Sequence, residues 1–593
     1  MNKIYNDDFI IKLKKELCYL LRRTFYLIPI KLDIDSELLS AIISNCTYEE
    51  FNIIKNMNLS GVCFDGISVK GFDFTGCKGV KINPQTVLDK SLKNTTLNGV
   101  EIIGSFDGVD VRGTNFTGSK GAKIDPQTVG DKSLVGTALS GVEIIGSFDG
   151  VNIERTNFTG SKGAKIDPQT VGGKRLVAAN LSGVEIIGSF DGVDVRRTNF
   201  TGSKGAKMNP KTVGCKSLFC TKLSGVEIIG SFDDVGIQCT DFTGSKGAKI
   251  NPQTVWKKYL CNVKLSGVEI IGSFDGVVIF GTDFTGSKGA KINPQTVGCK
   301  SLENTTLSGV EIIGSLDGVD VRGTDFTGSI GAEIDPQTVS YKSLQKTTLS
   351  GVEIIGSSDG VNIYGTNFTG SKGAKINPQT VGCKSLKNTT LSGVEIIGSF
   401  DDVCIHRTDF KGSIGAKIDP QTVCRGFAHT KLSGAEIIGS FDGVYVYDTD
   451  FTGSKGAKID PQTVGRKSLK NTTLSGVEII GSFDGVHVEG TNFTGCKGVK
   501  INPQTVDYKS LGNTKLSDTQ IIISSNDVID SFNNVDIEGT DFTESSFAKM
   551  ELRKVKYEVL KQIILNEIET NSSDLEKIKI LKKIDDSVKK DKN

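Results

Sequence analysis

The charged residues of this chain recur at fixed intervals. Glu101, Glu143, Glu185, Glu227, Glu269, Glu311, Glu353, Glu395, Glu436 and Glu478 all occupy one position of a repeated phrase. Asp107, Asp149 and Asp191 open a second such column, which continues to Asp484. Lys123, Lys165, Lys207, Lys249, Lys291, Lys375, Lys417 and Lys458 make a third, broken by Glu333. Two carboxylates that converge in a cleft can do acid–base chemistry. Identical carboxylates at a constant interval suit binding better, as a stripe along a surface. The Glu column is therefore the candidate interaction stripe. The chain carries 70 basic and 69 acidic residues, a net charge of +1. That neutral total predicts an acidic stripe and a basic stripe on different walls.

Other reactive residues give no constellation. The 13 cysteines contain no CxxC pair and no metal-ligand spacing. Cys215, Cys299 and Cys383 share one position of the repeat but stand two repeats apart, too far to bridge, while Cys77 and Cys496 replace the serine of TGSKG. They read as free thiols in a reducing compartment, which places the chain in the cytoplasm. His406, His429 and His487 occupy different positions of the repeat, with no nucleophile or carboxylate cluster beside them in the sequence. The phrase GSKGAK lacks the spacing of a phosphate loop and recurs in most repeats, as a turn would. No catalytic, cofactor-binding or metal-binding residue is assigned. The expectation is a protein that is not an enzyme and needs no cofactor.

The element that positions these columns is a 42-residue module. The phrase [ND]-P-[QK]-T-V occurs eleven times, and its step departs from 42 only once, where VCRGFAHTKL has lost a residue. Within one module the large apolar residues are Ile124, Val129, Leu134, Leu139, Ile144, Phe148, Ile153 and Phe158, followed by Ile166. A beat of five fits neither the period of a strand nor that of a helix. It fits a chain that turns a corner at each step, so that one module makes two coils of four faces. Gly, Asn and Asp between the anchors supply the tight turns. The period predicts a solenoid whose coils stack Phe over Phe and Leu over Leu. With ~21 residues per coil and a ~4.8 Å spacing, about 24 coils would make a rod of roughly 110 Å. The Phe column lapses at Leu316 and Ser358, which predicts a softer spot near Ser358.

The pieces VDVRG and TNFTG at 109–118, and TALSG and VEIIG at 137–146, resemble the A-[DN]-[LF]-x-x unit of the pentapeptide-repeat family. The resemblance implies a right-handed quadrilateral β-helix, with the central Leu or Phe inside and a small residue two positions earlier also inside. Here that small residue is often Thr or Val. In the QTV and KSL steps the place falls to Gln127 and Lys132, which cannot be buried unpartnered. Those steps either bulge outward or form one helical turn, with Asp125 as N-cap and Pro126 in the first turn.

The β-helix is expected over 54–550. Residues 1–53 and 551–593 lack the repeat and read as helical N-terminal and C-terminal caps, the first with Ile10, Leu13, Leu17, Leu20 and Leu21 on one side. A cap covers the open edge strand of a solenoid. The terminal helices could alternatively join two copies into a homodimer. No run reaches the ~18 apolar residues of a membrane span. Some relatives by resemblance imitate DNA and bind type II topoisomerases. Two acidic columns give about two charges per ~9.6 Å, against one per ~1.7 Å in the duplex. The reading is a non-catalytic scaffold with an unknown protein partner and no direct nucleic-acid binding. Its alternatives are a DNA mimic and a carbohydrate-active β-helix enzyme.

Overall fold

The computed structural model describes residues 59–424, 426–517, 519–522 and 534–541, with the backbone of 546–548. The helical caps expected over 1–53 and 551–593 lie outside them. The chain divides into two compact units, Met1–Ser315 with Gly328–Gly331, and Leu316–Thr327 with Ala332–Asn593.

In the first unit every predicted anchor points inward. Ile124, Leu134, Leu139, Ile153, Phe158 and Ile166 are fully buried, and Val129, Ile144 and Phe148 nearly so. The strands are two residues long and pair in parallel register. Lys123–Ile124 lies beside Glu143–Ile144, and Lys165–Ile166 beside Glu185–Ile186. Isolated bridges complete the other walls, as at Ser133↔Asn152 and Ala138↔Asn157. One coil therefore takes Ile124, Val129, Leu134 and Leu139 on faces one to four. The next takes Ile144, Phe148, Ile153 and Phe158. This is a four-faced β-helix of the pentapeptide-repeat type.

The corners are made by side-chain oxygens. Asn152 and Asn157 each accept the backbone N–H two residues on, at 3.1 Å, which closes a turn without help from the next coil. The small inner residues are often threonines for a physical reason. Buried Thr137 donates to the Val111 carbonyl at 2.8 Å and buried Thr156 to the Leu134 carbonyl at 2.7 Å. Alanine would leave those carbonyls with one fewer partner.

The QTV and KSL steps remain part of the β-helix. Asp125 Oδ1 accepts the Gln127 N–H at 3.1 Å, and Pro126 is buried in the turn. The short 3-10 segment Gly130–Lys132 contains Asp131 at φ 54° and so is no regular helical turn. Lys132 is exposed, and Gln127 reaches outward to Ser147 Oγ of the next coil at 2.6 Å. The eight-residue interval is a bulge at Lys162, Gly163 and Ala164. Gly163 takes φ 75°, and a Cβ there would meet the Ile144 carbonyl at 3.0 Å.

The expectation of Phe over Phe is corrected by the register. Ala138↔Asn157 and Asn157↔Asn180 set Leu139, Phe158 and Leu181 in succession on face four. Phenylalanine thus stacks on leucine there, and its ring contact runs across the interior. Phe148 meets Phe158 of the same coil edge to face, with centroids 5.4 Å apart. A large ring in one coil is accommodated by smaller side chains above and below it.

The second unit repeats this construction. Lys375–Ile376 pairs with Glu395–Ile396, and Phe400 meets Phe410 at 5.5 Å. Where the module has lost a residue, Cys424 bridges Cys404, and Phe427 fills the core position of a leucine, fully buried. Near its end Gln520–Ile522 is sandwiched between Lys500–Ile501 and Ser546–Ala548.

Candidate interaction surface

Face one carries the Glu column, and it carries the Lys column as well. Register places Lys123 directly beside Glu143, and their charged atoms are 3.0 Å apart. The same pair recurs in the first unit at Lys81–Glu101, Lys165–Glu185, Lys207–Glu227, Lys249–Glu269 and Lys291–Glu311, at 2.9–3.1 Å. In the second unit it recurs at Lys375–Glu395, Lys417–Glu436 and Lys458–Glu478, at 3.0–3.3 Å. The bulge brings a further lysine to the other side, as at Glu143↔Lys162. The prediction of separate acidic and basic walls is therefore corrected: both columns lie on one wall and alternate. The error came from treating module position as wall position. Lys123 and Glu143 are 20 residues apart, which is one whole coil.

Two places among the described residues break the alternation: Gln520 takes the glutamate's position beside Lys500, and Glu333 breaks it with a like charge. Glu333 replaces the lysine, so that it stands in register with Glu353 and two carboxylates face each other.

The Asp column serves the fold. The Thr170 hydroxyl and then Ser147 hold the Asp149 carboxyl below the usual carboxylate range. Asp191 accepts from the Thr212 hydroxyl of the next coil, while Gln169 Nε2 donates to the Asp191 carbonyl at 2.6 Å. Lys211 at 2.8 Å adds an ion pair to Asp233, whose carboxyl is pushed down to about 2 by Lys211, Thr254 and Ser231. These aspartates tie coil to coil.

A column that the charge pattern concealed lies beside the Lys–Glu ladder. Ile103, Ile145, Ile187, Ile229, Ile271 and Ile313 in the first unit are 55–62% exposed. Ile355, Ile397, Ile438 and Ile480 in the second are 59–62% exposed. The signal was present in VEIIG. Ile144 takes the inward place of the beat, so Ile145, one residue on in an extended chain, must point out. Face one is thus a wall of aliphatic side chains beside alternating charges.

The histidines come closer together than the sequence indicates. His406 and His429 stand on neighbouring coils with ring centroids 5.3 Å apart, and His429 Nδ1 is 3.5 Å from Asp448. Burial, then the charge of His429, lowers the pKa of His406. Among the described residues no group of three or more His, Cys, Asp or Glu could hold a metal ion.

No family model matches the sequence, and no curated protein matches it. Among solved structures, the chain is similar to HetL, a pentapeptide repeat protein involved in heterocyst differentiation regulation from the cyanobacterium Nostoc sp. strain PCC 7120. The match is 15% identical, covers 51% of this chain and 84% of that one, and has a TM-score of 0.13. At that score the likeness carries no weight. The fold assignment stands on strand register and the buried columns.

One hollow departs from the repeat. Gly236 stands where other modules carry Asp110, Asn152 or Asp194, and it lines an open hollow of about 650 Å³ with Arg196, Lys216, Phe219, Gln238 and Trp256. Its cations are already neutralised, Arg196 by Asp194 at 2.6 Å and Lys216 by Asp234 at 3.2 Å. Little charge is left there for a ligand. Among the described residues no helix is long and apolar enough to cross a membrane.

Proposed function

We propose that this chain is a non-catalytic repeat scaffold that engages a protein partner along face one. The observation that carries the reading is the exposed isoleucine column running beside the Lys–Glu ladder. Each module supplies one aliphatic contact with ionic groups beside it, and modules add their contributions as repeats do. Regularly exposed isoleucine has no role in the core, which the inward residues already fill. The partner surface that suits it is extended, apolar along a line and flanked by both signs of charge.

The candidate Glu column belongs to this surface as one half of an ion-paired ladder. Its neutralisation by lysine weighs against DNA mimicry, which needs uncompensated negative charge. The carbohydrate-active reading draws no support from face one, where the same residues recur module after module and no single coil stands out as a cleft.

The test is site-specific photo-crosslinking in cells, with a benzophenone amino acid at Ile187 or at Ile397. The comparison position is Asn152 on face three. Discrete adducts from the isoleucine positions, lost when the neighbouring isoleucines become threonine, are expected. Equal adducts from Asn152, or none from face one, would refute the assignment. Inhibition of gyrase supercoiling by the purified protein would instead favour the mimic.

A further inference from the structure

One corner of the first unit stacks thiol over thiol. Ser217 bridges Gly236, and the Cys220 N–H donates to the Gln238 carbonyl at 3.0 Å, so Cys220 lies in register with Cys239 on the next coil. Both residues take the same left-handed conformation, φ 56° and 57°, and their side chains leave the corner in the same direction. Both thiols are free and part-exposed. Neighbouring strands stand about 4.7–4.9 Å apart, inside the ~4.4–6.8 Å range of Cα separations that a disulfide spans. At the same corner other modules carry pairs such as Gly136 with Arg155 or Ala178 with Arg197. The sequence hides the pair, because a spacing of 18 residues between Cys220 and Cys239 looks like no motif.

We propose that Cys220 and Cys239 are a redox modification site, closing a reversible coil-to-coil disulfide when the chain meets a hydroperoxide. One thiolate attacks the peroxide oxygen, the O–O bond breaks, and a sulfenic acid forms with release of water or an alcohol. The second sulfur attacks the sulfenic sulfur, an S–S bond forms, and water leaves. Two thiols lose two electrons and two protons, and the peroxide takes up both. A thiol reductant reverses the change. Burial and the neighbouring Cys239 push the Cys220 thiol up. Thiolate is the reacting form, so closure accelerates as pH rises above neutral. Cys261 is the competing partner: its carbonyl accepts the Cys239 N–H at 2.9 Å, but it stands one residue out of register.

The test uses the full chain, reduced, freed of reductant and treated with hydrogen peroxide at mildly alkaline pH. It is then alkylated and mapped after non-reducing tryptic digestion. The expected product joins peptides 217–222 and 223–246 with loss of two hydrogens, and dithiothreitol restores both peptides. Cys220→Ser should abolish that product and leave Cys239 to oxidise further to sulfinic acid, while circular dichroism confirms that the variant is folded. Three results would overturn the proposal. They are no cross-linked product in folded wild-type protein, Cys239 joined to Cys261 in preference to Cys220, and cross-linking confined to the other in-register pair, Cys404 and Cys424.

Discussion

Replacing Ser358 by phenylalanine should stabilise its module. Ser358 occupies the place held by Phe148 and Phe400 in other modules, and it is buried to 2% with its hydroxyl unpartnered. Opposite it, Phe368 is fully buried but lacks the edge-to-face ring that Phe158 receives from Phe148. The backbone is already shaped for the larger residue. Val361 N–H donates to the Ser358 carbonyl at 3.1 Å, as Val151 N–H does to the Phe148 carbonyl at 2.9 Å. Truncating a buried Phe costs about 3–5 kcal/mol, and an unsatisfied buried hydroxyl about 1–3 kcal/mol. Partial collapse around the serine reduces what can be recovered, so Ser358→Phe should return about 3 kcal/mol. Repeat proteins open locally, so the assay is hydrogen exchange by mass spectrometry over peptides covering 350–370. Protection there should rise about 100-fold, at 1.4 kcal/mol per decade, while the modules of the first unit stay unchanged. Unchanged or lower protection would mean that the core has closed over the serine, and that the column is not a vacant phenylalanine site.

Other substitutions separate the buried hydroxyls by what they do. Thr156→Val removes the donor to the Leu134 carbonyl and should cost about 1–2 kcal/mol locally, read by the same exchange experiment. Ser161→Ala should cost nothing or stabilise by up to ~1 kcal/mol, because the Ser161 hydroxyl is buried without a hydrogen-bond partner. Glu333→Lys should restore the ladder against Glu353 and raise stability by at most ~1 kcal/mol. That gain should vanish in molar salt during thermal melting. Acid should loosen the fold through the Asp column, since Asp149, Asp275 and Asp233 all have lowered pKa values. Their contribution is present above the unfolded carboxylate value of about 3.9 and is lost as pH falls through the folded values. The melting temperature should therefore drop between about pH 4 and pH 2, and a flat profile there would contradict the coil-tying role.

The interior was legible because burial obeys a simple beat. Ile124 through Phe158 sit at steps of four or five residues, and each takes the inward place. The walls were harder to read, because facing across coils depends on coil length. Lys123 and Glu143 look like distant columns in the sequence and become neighbours only once a coil is 20 residues long. The bulge at Gly163 lengthens the next coil to 22 residues, from Ile144 to Ile166. No fixed offset therefore connects neighbours throughout a module. Cys220 and Cys239 were missed for the same reason. Ile145 needed no coil length at all, only the observation that one of two adjacent isoleucines must face out.

The two-coil module has its own physical logic. A parallel in-register stack of identical coils would set glutamate on glutamate at every ~4.8 Å step. Two like charges at that separation repel by roughly 1 kcal/mol even in water, and the cost would accumulate along the stack. Alternating coils convert each such contact into a Lys–Glu pair. The same alternation acts inside, where Phe158 lies between Leu139 and Leu181 and not under another ring. Large against small fills the interior without forcing rings into sandwich stacks, which aromatic quadrupoles disfavour. Charge on the wall and volume in the core thus both favour a repeat of two coils over a repeat of one. Glu333 beside Glu353 tests the charge half of that logic: reverting it restores the pattern, and repeating it elsewhere, as in Lys165→Glu, should weaken the wall to a similar degree.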